Sequence, residues 1–246
     1  MKNVKAITIP EGTVKKIENA NGDIIWGSYD AFPYRRLEYI HFNGAEYILV
    51  EKPNNNYYYL KFSLDSIIND KFIFGTNGDN NSSGAMRITN RMASTGYYQT
   101  RYGRNSSSNT NIAQLSTDTD YQMRFRIYAN NNLYSGIVDS AGTTIGSNTF
   151  SAVSFTKANM NNFAIMGYNN GGTVGNMTAG KVYWYLIRET DGASTILTQA
   201  YPCQRKSDGV CGLYDVINST FYPMVGTTIT DAAAGPIVDE YWNLQA

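Results

Sequence analysis

Between Tyr201 and Tyr222 the chain places three turn signals among short apolar runs, a spacing that only strands folding back on one another satisfy. Ser207-Asp208-Gly209 is a tight-turn tripeptide, Gly212-Leu213-Tyr214-Asp215 opens a strand and closes it on a turn former, and Asn218-Ser219-Thr220 prepares a further reversal before Phe221 and Tyr222. Gly209 and Gly212 are expected to hold backbone angles that a side chain would resist, with Leu213, Val216 or Tyr214, and Phe221 inserted between sheets.

The same grammar runs upstream. Leu37 to Phe42 and Ala45 to Val50 are expected to pair through Asn43-Gly44, and strands follow over Tyr57 to Leu64, Lys71 to Gly75, Met86 to Thr89, Tyr97 to Tyr102, Tyr121 to Ala129, Leu133 to Val138, Phe163 to Tyr168, Lys181 to Arg188 and Thr195 to Tyr201. Period-2 alternation is clearest in Tyr121 to Tyr128, where Tyr121, Met123, Phe125 and Ile127 face one way and Gln122, Arg124 and Arg126 the other. One face is core and the other is wet. Helical signal is confined to Ser63 to Asn69 and Phe155 to Asn162, and the Asn/Ser tracts at Asp79 to Ser83 and Arg104 to Asn111 read as loops. The expected fold is all-β, an antiparallel two-sheet jelly-roll sandwich with a short N-terminal β appendage.

Residues 1–28 read as that appendage, with turns at Pro10-Glu11-Gly12 and Asn21-Gly22 and strands near Val14 to Ile17 and Ile24 to Trp26. So small a unit carries Ile7, Ile9, Ile17, Ile24, Ile25 and Trp26 without enough chain to cover them, so it must dock on something. Residues 29–34 read as a linker and 35–246 as the sandwich domain.

Charge narrows the partners. Lys and Arg total 20 and Asp and Glu total 20, so there is no basic field to collect nucleic acid. No charged n-region followed by an apolar h-region opens the sequence and no apolar run approaches about 18 residues, so neither Sec export nor membrane insertion is expected. Asn, Ser, Thr, Gly and Tyr dominate instead, a surface suited to sugars or to neighbouring proteins.

Two patches resemble a known family. Pro202-Cys203 through Arg205, Ser207-Asp208-Gly209, Gly212-Leu213-Tyr214-Asp215 and Phe221-Tyr222, followed by Ala234-Gly235-Pro236, resemble the closing strands of concanavalin-A/laminin-G-like domains on phage tail, baseplate and fibre proteins. Arg36-Leu37-Glu38-Tyr39-Ile40, with Gly44 and Tyr47-Ile48, resembles the opening of the same domain. The resemblance brackets residues 35 to 236 and is loose between its ends. It implies a virion appendage, a tail or head fibre, assembled in the bacterial host cytoplasm and displayed on the virion surface. Such a protein would join other virion proteins through its N-terminal segment, form a homo-oligomer, with a trimer favoured, and bind host surface polysaccharide. The alternative is a purely structural capsid-decoration or baseplate part without glycan binding.

Enzyme constellations are thin. The one imidazole, His41, lies in an alternating strand, and the carboxylates Glu38, Glu46, Asp65 and Glu189 are scattered without a motif that pairs them, so no catalytic residue is expected. Cys203 and Cys211 sit eight positions apart across a turn, and two buried thiols are a simpler reading than a bridge. Laminin-G-like domains often hold calcium at a loop rim, and Asp79 in the Thr76 to Asn81 loop is the minor candidate ligand that the resemblance suggests; no other cofactor is expected. The count of 20 Tyr against 10 Phe and 3 Trp points to ring platforms, and at least one ring of Tyr57-Tyr58-Tyr59 and of Tyr183-Trp184-Tyr185 must point away from the core. Tyr97, Tyr98 and Tyr102, with Gln99, Arg101 and Arg104 between or beside them, form the candidate ligand-facing strand and loop.

Overall fold

A computed structural model describes residues 16–18, 24–27, 33–81, 84–93, 95–104, 109–189 and 195–238, the first two segments and residues 80 and 81 as backbone only. In chain order the strands are β1 (Lys16–Glu18), β2 (Ile24–Gly27), β3 (Tyr34–Arg36), β4 (Ile40–Asn43), β5 (Tyr47–Leu49), β6 (Tyr57–Leu64), β7 (Phe72–Asn81), β8 (Gly84–Met92), β9 (Tyr97–Arg104) and β10 (Asn109–Gln114). They continue as β11 (Tyr121–Ile127), β12 (Leu133–Val138), β13 (Thr144–Phe150), β14 (Ala164–Ile165), β15 (Tyr168–Asn170), β16 (Thr173–Gly175), β17 (Ala179–Arg188), β18 (Ile196–Arg205), β19 (Cys211–Asp215) and β20 (Thr220–Val225).

Two antiparallel sheets make the sandwich. The first runs β13-β12-β11-β6-β17-β18-β19-β20, with β4 beside the start of β17 and β3 beside the end of β18. The second runs β10-β9-β8-β7-β14-β5 and ends on the last residues of β20. Strand β20 therefore belongs to both sheets: Thr220 to Pro223 pair with β19, and Met224 and Val225 pair with Ile48 and Tyr47 of β5. The changeover falls at Pro223, which has no N–H to give a ladder. At the opposite edge β13 comes so close to β10 that a Cβ on Gly146 would overlap the Ile112 carbonyl. The first edge is thereby closed by pairing, while at the second, among the described residues, the edge strands β13 and β10 pack side by side without a ladder between them.

Inside, rings from both sheets interlock. Tyr58 of β6 and Phe125 of β11 meet Phe74 of β7 and Phe163, with Phe74 and Phe163 stacked at 4.2 Å between centroids. All four are fully buried. Pairs of this kind contribute about 0.5–1.5 kcal/mol each beyond the area they bury. A small polar group sits in this core: the Thr100 hydroxyl donates to Asn90 Oδ1 at 2.7 Å and meets the Ser135 hydroxyl at 2.7 Å, joining the two sheets.

Several local expectations change in the folded chain. Asn43-Gly44, expected to close a hairpin, instead carries the chain from one sheet to the other, since β4 pairs with β17 and β5 with β14 and β20. The buried Glu46 carboxylate secures this crossing by accepting from the backbone N–H of Asn43 at 2.8 Å and of Thr228 at 3.1 Å. Part of the expected loop from Arg104 to Asn111 is strand β10, and Ser63 to Asn69 is strand end and loop rather than a helical turn. Tyr57 and Tyr59 do point away from the core, yet both are buried, because Arg126 packs over the Tyr57 ring and the two rings stack. Tyr34, expected to end a linker, opens β3.

Near the N-terminus, β1 and β2 form a two-stranded antiparallel sheet of their own, pairing Lys16 with Gly27 and Ile17 with Trp26 around the Asn21-Gly22 signal. Residues 1–15 and 28–32, which carry the remaining expected strand and most of the linker, lie outside the described residues. Cys203 stands opposite Gly212 and Cys211 opposite Gln204, so the two thiols leave the ladder on opposite faces; both are free and buried. Burial holds both thiols protonated, Cys211 pushed up to about 12.

Candidate functional site

The outer face of the second sheet is built by strict alternation. In β8, Met86, Ile88, Asn90 and Met92 are fully buried against the core, which turns Arg87, Thr89 and Arg91 outward. In β9, Tyr98, Thr100 and Tyr102 point inward and Tyr97, Gln99 and Arg101 outward. Register then assembles rows across the strands: Gly75, Thr89, Arg101 and Asn109 in one, and Arg91, Gln99 and Asn111 in the next. The row ends are tied, with Arg101 Nε donating to Asn109 Oδ1 at 2.8 Å and Gln99 Nε2 donating to Asn111 Oδ1 at 2.7 Å.

Tyr168 of β15 covers the end of this lattice. Its turn is anchored to β7, where Asn77 Oδ1 accepts from Gly171 N–H at 2.7 Å and Asn77 Nδ2 donates to Asn170 Oδ1. The ring stacks on Phe72 at 4.9 Å and lies over Gly75, where an added Cβ would come within 3.2 Å of the ring and 3.0 Å of Thr89 Cγ2. Only a residue without a side chain lets the tyrosine lie this close to the sheet.

Hydrogen-bonding capacity accumulates here. Eight buried side-chain atoms lack a partner among the described residues, and five of them are on this face: Arg87 Nε, Thr89 Oγ1, Arg91 Nε, Gln99 Oε1 and the Tyr168 hydroxyl. Buried polar atoms are almost always satisfied in folded proteins, so five such atoms with almost no exposed area concentrate unmet hydrogen-bonding capacity just beneath this face, where Thr89 is 1% exposed. Charge concentrates as well. Arg101 stands opposite Thr89, which places Arg87 and Arg91 diagonally on either side of it, about 7–8 Å away. Like charges at that spacing repel by roughly 0.5–2.5 kcal/mol per pair at effective dielectrics from water to protein surface. Burial first and Arg87 second lower the Arg101 pKa, and burial and then Arg101 lower that of Arg91. Arg91 is relieved by an ion pair with Asp70, whereas no carboxylate among the described residues pairs with Arg87 or Arg101.

The six residues expected to face a ligand therefore separate. Tyr97, Gln99 and Arg101 share the outer face. Tyr98 is fully buried with its hydroxyl by Ser135, and Tyr102 is buried with its hydroxyl donating to the Asn131 carbonyl, so both are core residues. Arg104, opposite Met86 at the end of the ladder, clamps the end of the β7–β8 hairpin, donating to the Asp79 and Gly84 carbonyls, each at 2.8 Å, to the Ser154 carbonyl at 2.6 Å and to the Asp79 carboxylate at 3.1 Å. Arg87, Thr89, Arg91 and Tyr168 were missed. The alternation of Met86-Arg87-Ile88-Thr89-Asn90-Arg91-Met92 carries the signal for the first three, while nothing local marks Tyr168.

Asp79 does not fit a calcium ion. Its carboxylate accepts from Arg104 and from Thr156 N–H at 2.8 Å, so the groups around it are donors and a cation, where calcium needs further oxygens. Among the described residues no three His, Cys, Asp or Glu side chains gather. His41 bonds Asp65 at 2.6 Å on the outer face of the first sheet. Glu51 receives the hydroxyls of Tyr185 at 3.2 Å, Thr198 at 3.1 Å and Tyr222, and so ties β17, β18 and β20 together.

No family model matches the chain, and no curated protein does. Among solved structures it is similar to the CBM40 of a Ruminococcus gnavus IT-sialidase, at 10% identity and a TM-score of 0.46, covering 62% of this chain and 90% of that one. It is also similar to a SAP-like pentraxin from Limulus polyphemus, at 12% identity and a TM-score of 0.40, over 62% and 76% of the two chains. Scytalido-glutamic peptidase is a further neighbour, at 11% identity and a TM-score of 0.35, over 75% and 99%. The two-sheet architecture is established by the strand pairing itself.

Proposed function

We propose that this protein is a non-catalytic glycan-binding module of a phage virion appendage, holding saccharide on the outer face of its second sheet. The observation that carries the binding reading is the row of Arg87, Thr89, Arg91, Gln99 and Arg101 on one sheet face, four of them with a side-chain atom lacking a partner among the described residues, with the Tyr168 ring over its end. Sugars present hydroxyl pairs to amides and guanidinium groups and C–H faces to aromatic rings, and this face offers both. Non-catalytic action is supported by the engagement of the carboxylates: Glu51 is held by three hydroxyls, Glu46 by backbone N–H groups, and Asp215 by the N–H groups of Gln199 and Ile217, each at 3.0 Å.

The virion setting is supported by the two resembling patches. The two patches come together where β3 pairs with β18, Arg36 standing opposite Cys203, and the strand that ends the second patch runs on to pair Met224 with Ile48 of the first. The reading is tested by presenting the full chain to a panel of bacterial surface polysaccharides and to cells. Retention of at least one polysaccharide, weakened tenfold or more by Tyr168→Ala with Tm still cooperative, is expected. If no polysaccharide and no cell surface is retained, the protein is instead a structural decoration or baseplate part.

A further inference from the structure

Building on the glycan reading, we infer that the saccharide recognised is acidic, its carboxylate or phosphate groups seated between Arg87 and Arg101 beside the Tyr168 ring. A neutral sugar needs hydrogen-bond donors and acceptors, which the exposed Asn109 and Asn111 amides at the ends of these rows already offer. Guanidinium groups crowded together add a mutual repulsion for which a neutral sugar brings no counter-charge and an anion does. The face carries three arginines and a single aspartate, Asp70, which is spent on Arg91. Among the described residues Arg101 hydrogen-bonds one side chain, the neutral Asn109, and Arg87 Nε has no hydrogen-bond partner.

A planar guanidinium with parallel N–H donors matches carboxylate and phosphate oxygens, and does so more tightly where water is partly excluded. The concentration is local. The whole chain has a formal net charge of zero, so a general attraction for polyanions is not built into the molecule. Neutral partners on the same rows, Gln99, Asn109 and Asn111, with Tyr97 one row further along, would read the hydroxyls between charged groups.

The test uses the full chain on an array holding neutral, carboxylated, sulfated and phosphodiester-linked glycans, together with carboxyl-methylated copies of the carboxylated ones and a DNA oligomer. Expected are hits confined to acidic glycans, abolished by carboxyl methylation if the carboxylate is the source or confined to the phosphodiester polymers if phosphate is. Arg87→Gln and Arg101→Gln should each weaken them tenfold or more with Tm unchanged, and Arg124→Gln on the outer face of the first sheet should leave them unaltered. Hits on neutral glycans, or hits that survive both methylation and the two arginine substitutions, overturn the acidic assignment and leave glycan binding standing. Equal binding to the DNA oligomer overturns recognition of the saccharide. An array without any hit overturns both readings.

Discussion

At Gly212 a side chain is excluded by space rather than by backbone angle. An added Cβ would lie 2.5 Å from the Phe221 ring and overlap the Tyr222 carbonyl, whereas Gly209, in the turn before it, does hold a left-handed φ of +73°. Gly212→Val is therefore expected to destabilise the fold by about 1–3 kcal/mol, read as a lower Tm, without changing glycan affinity below the transition. Tyr98 and Arg101 behave oppositely although only three positions separate them. Tyr98→Ala empties a fully buried site and is expected to cost about 3–5 kcal/mol, while Arg101→Gln changes binding and leaves Tm in place. Thermal melts beside glycan titrations separate the two. Titration supplies a further check at this scale. The pKa values of Cys211 and Tyr183 are both raised to about 12, from 9.0 and 10.0, chiefly by burial. The folded chain holds these protons more tightly than the unfolded chain, so the associated stability is present below about pH 9 and declines as pH rises toward 12. Denaturant midpoints should fall across that window, and both thiols should resist alkylation at pH 8 until the chain unfolds.

Strands that face water on one side are the elements most legible in the sequence. Tyr121 to Ile127, Leu133 to Val138 and Tyr57 to Leu64 alternate clearly or are bounded by turn residues, and they fold where that pattern predicts. Thr144–Phe150 and Asn109–Gln114 escape it, because edge strands with polar residues on the exposed face carry little apolar period. Asn43-Gly44 misleads for another reason: an Asn-Gly dipeptide specifies a reversal, but whether the flanking strands pair with each other is settled by the distant partners β17 and β20. Thr76 to Asn81, expected as a loop, continues strand β7, and Asp79 near its end shows the same dependence. Asp79 and Arg104 are 25 positions apart and nearly buried, with side chains 10% and 12% exposed. Asp79→Asn is expected to lower stability by about 1–3 kcal/mol, since Arg104 keeps its charge and loses its counter-ion. Calcium or a chelator should leave the wild-type melt unmoved; a calcium-dependent rise in Tm would return Asp79 to the role of ligand.

For the molecule as a whole, the proposed division is between a sandwich that binds and an N-terminal segment that attaches. Deleting residues 1–28 is expected to leave a cooperative melt and glycan binding intact while abolishing incorporation into particles, measured by reconstitution with virions that lack the protein. Incorporation of the truncated chain would refute attachment through this segment. A trimer, favoured by family resemblance, would raise the strength of weak individual sites by presenting copies together. Light scattering of the full chain at micromolar concentration reads this directly. From the amino-acid order alone came the class of fold, the hairpin at Ser207-Asp208-Gly209, and the inward and outward faces of individual strands, because alternation and turn chemistry act within a few residues. The tertiary structure alone decided which strands lie side by side, and hence that Arg87 and Arg91 of one strand flank Arg101 of the next while Tyr168, more than sixty positions away, is laid over Gly75. Register between strands is set by the burial of the opposite face, and the proposed binding face follows from how the core packs.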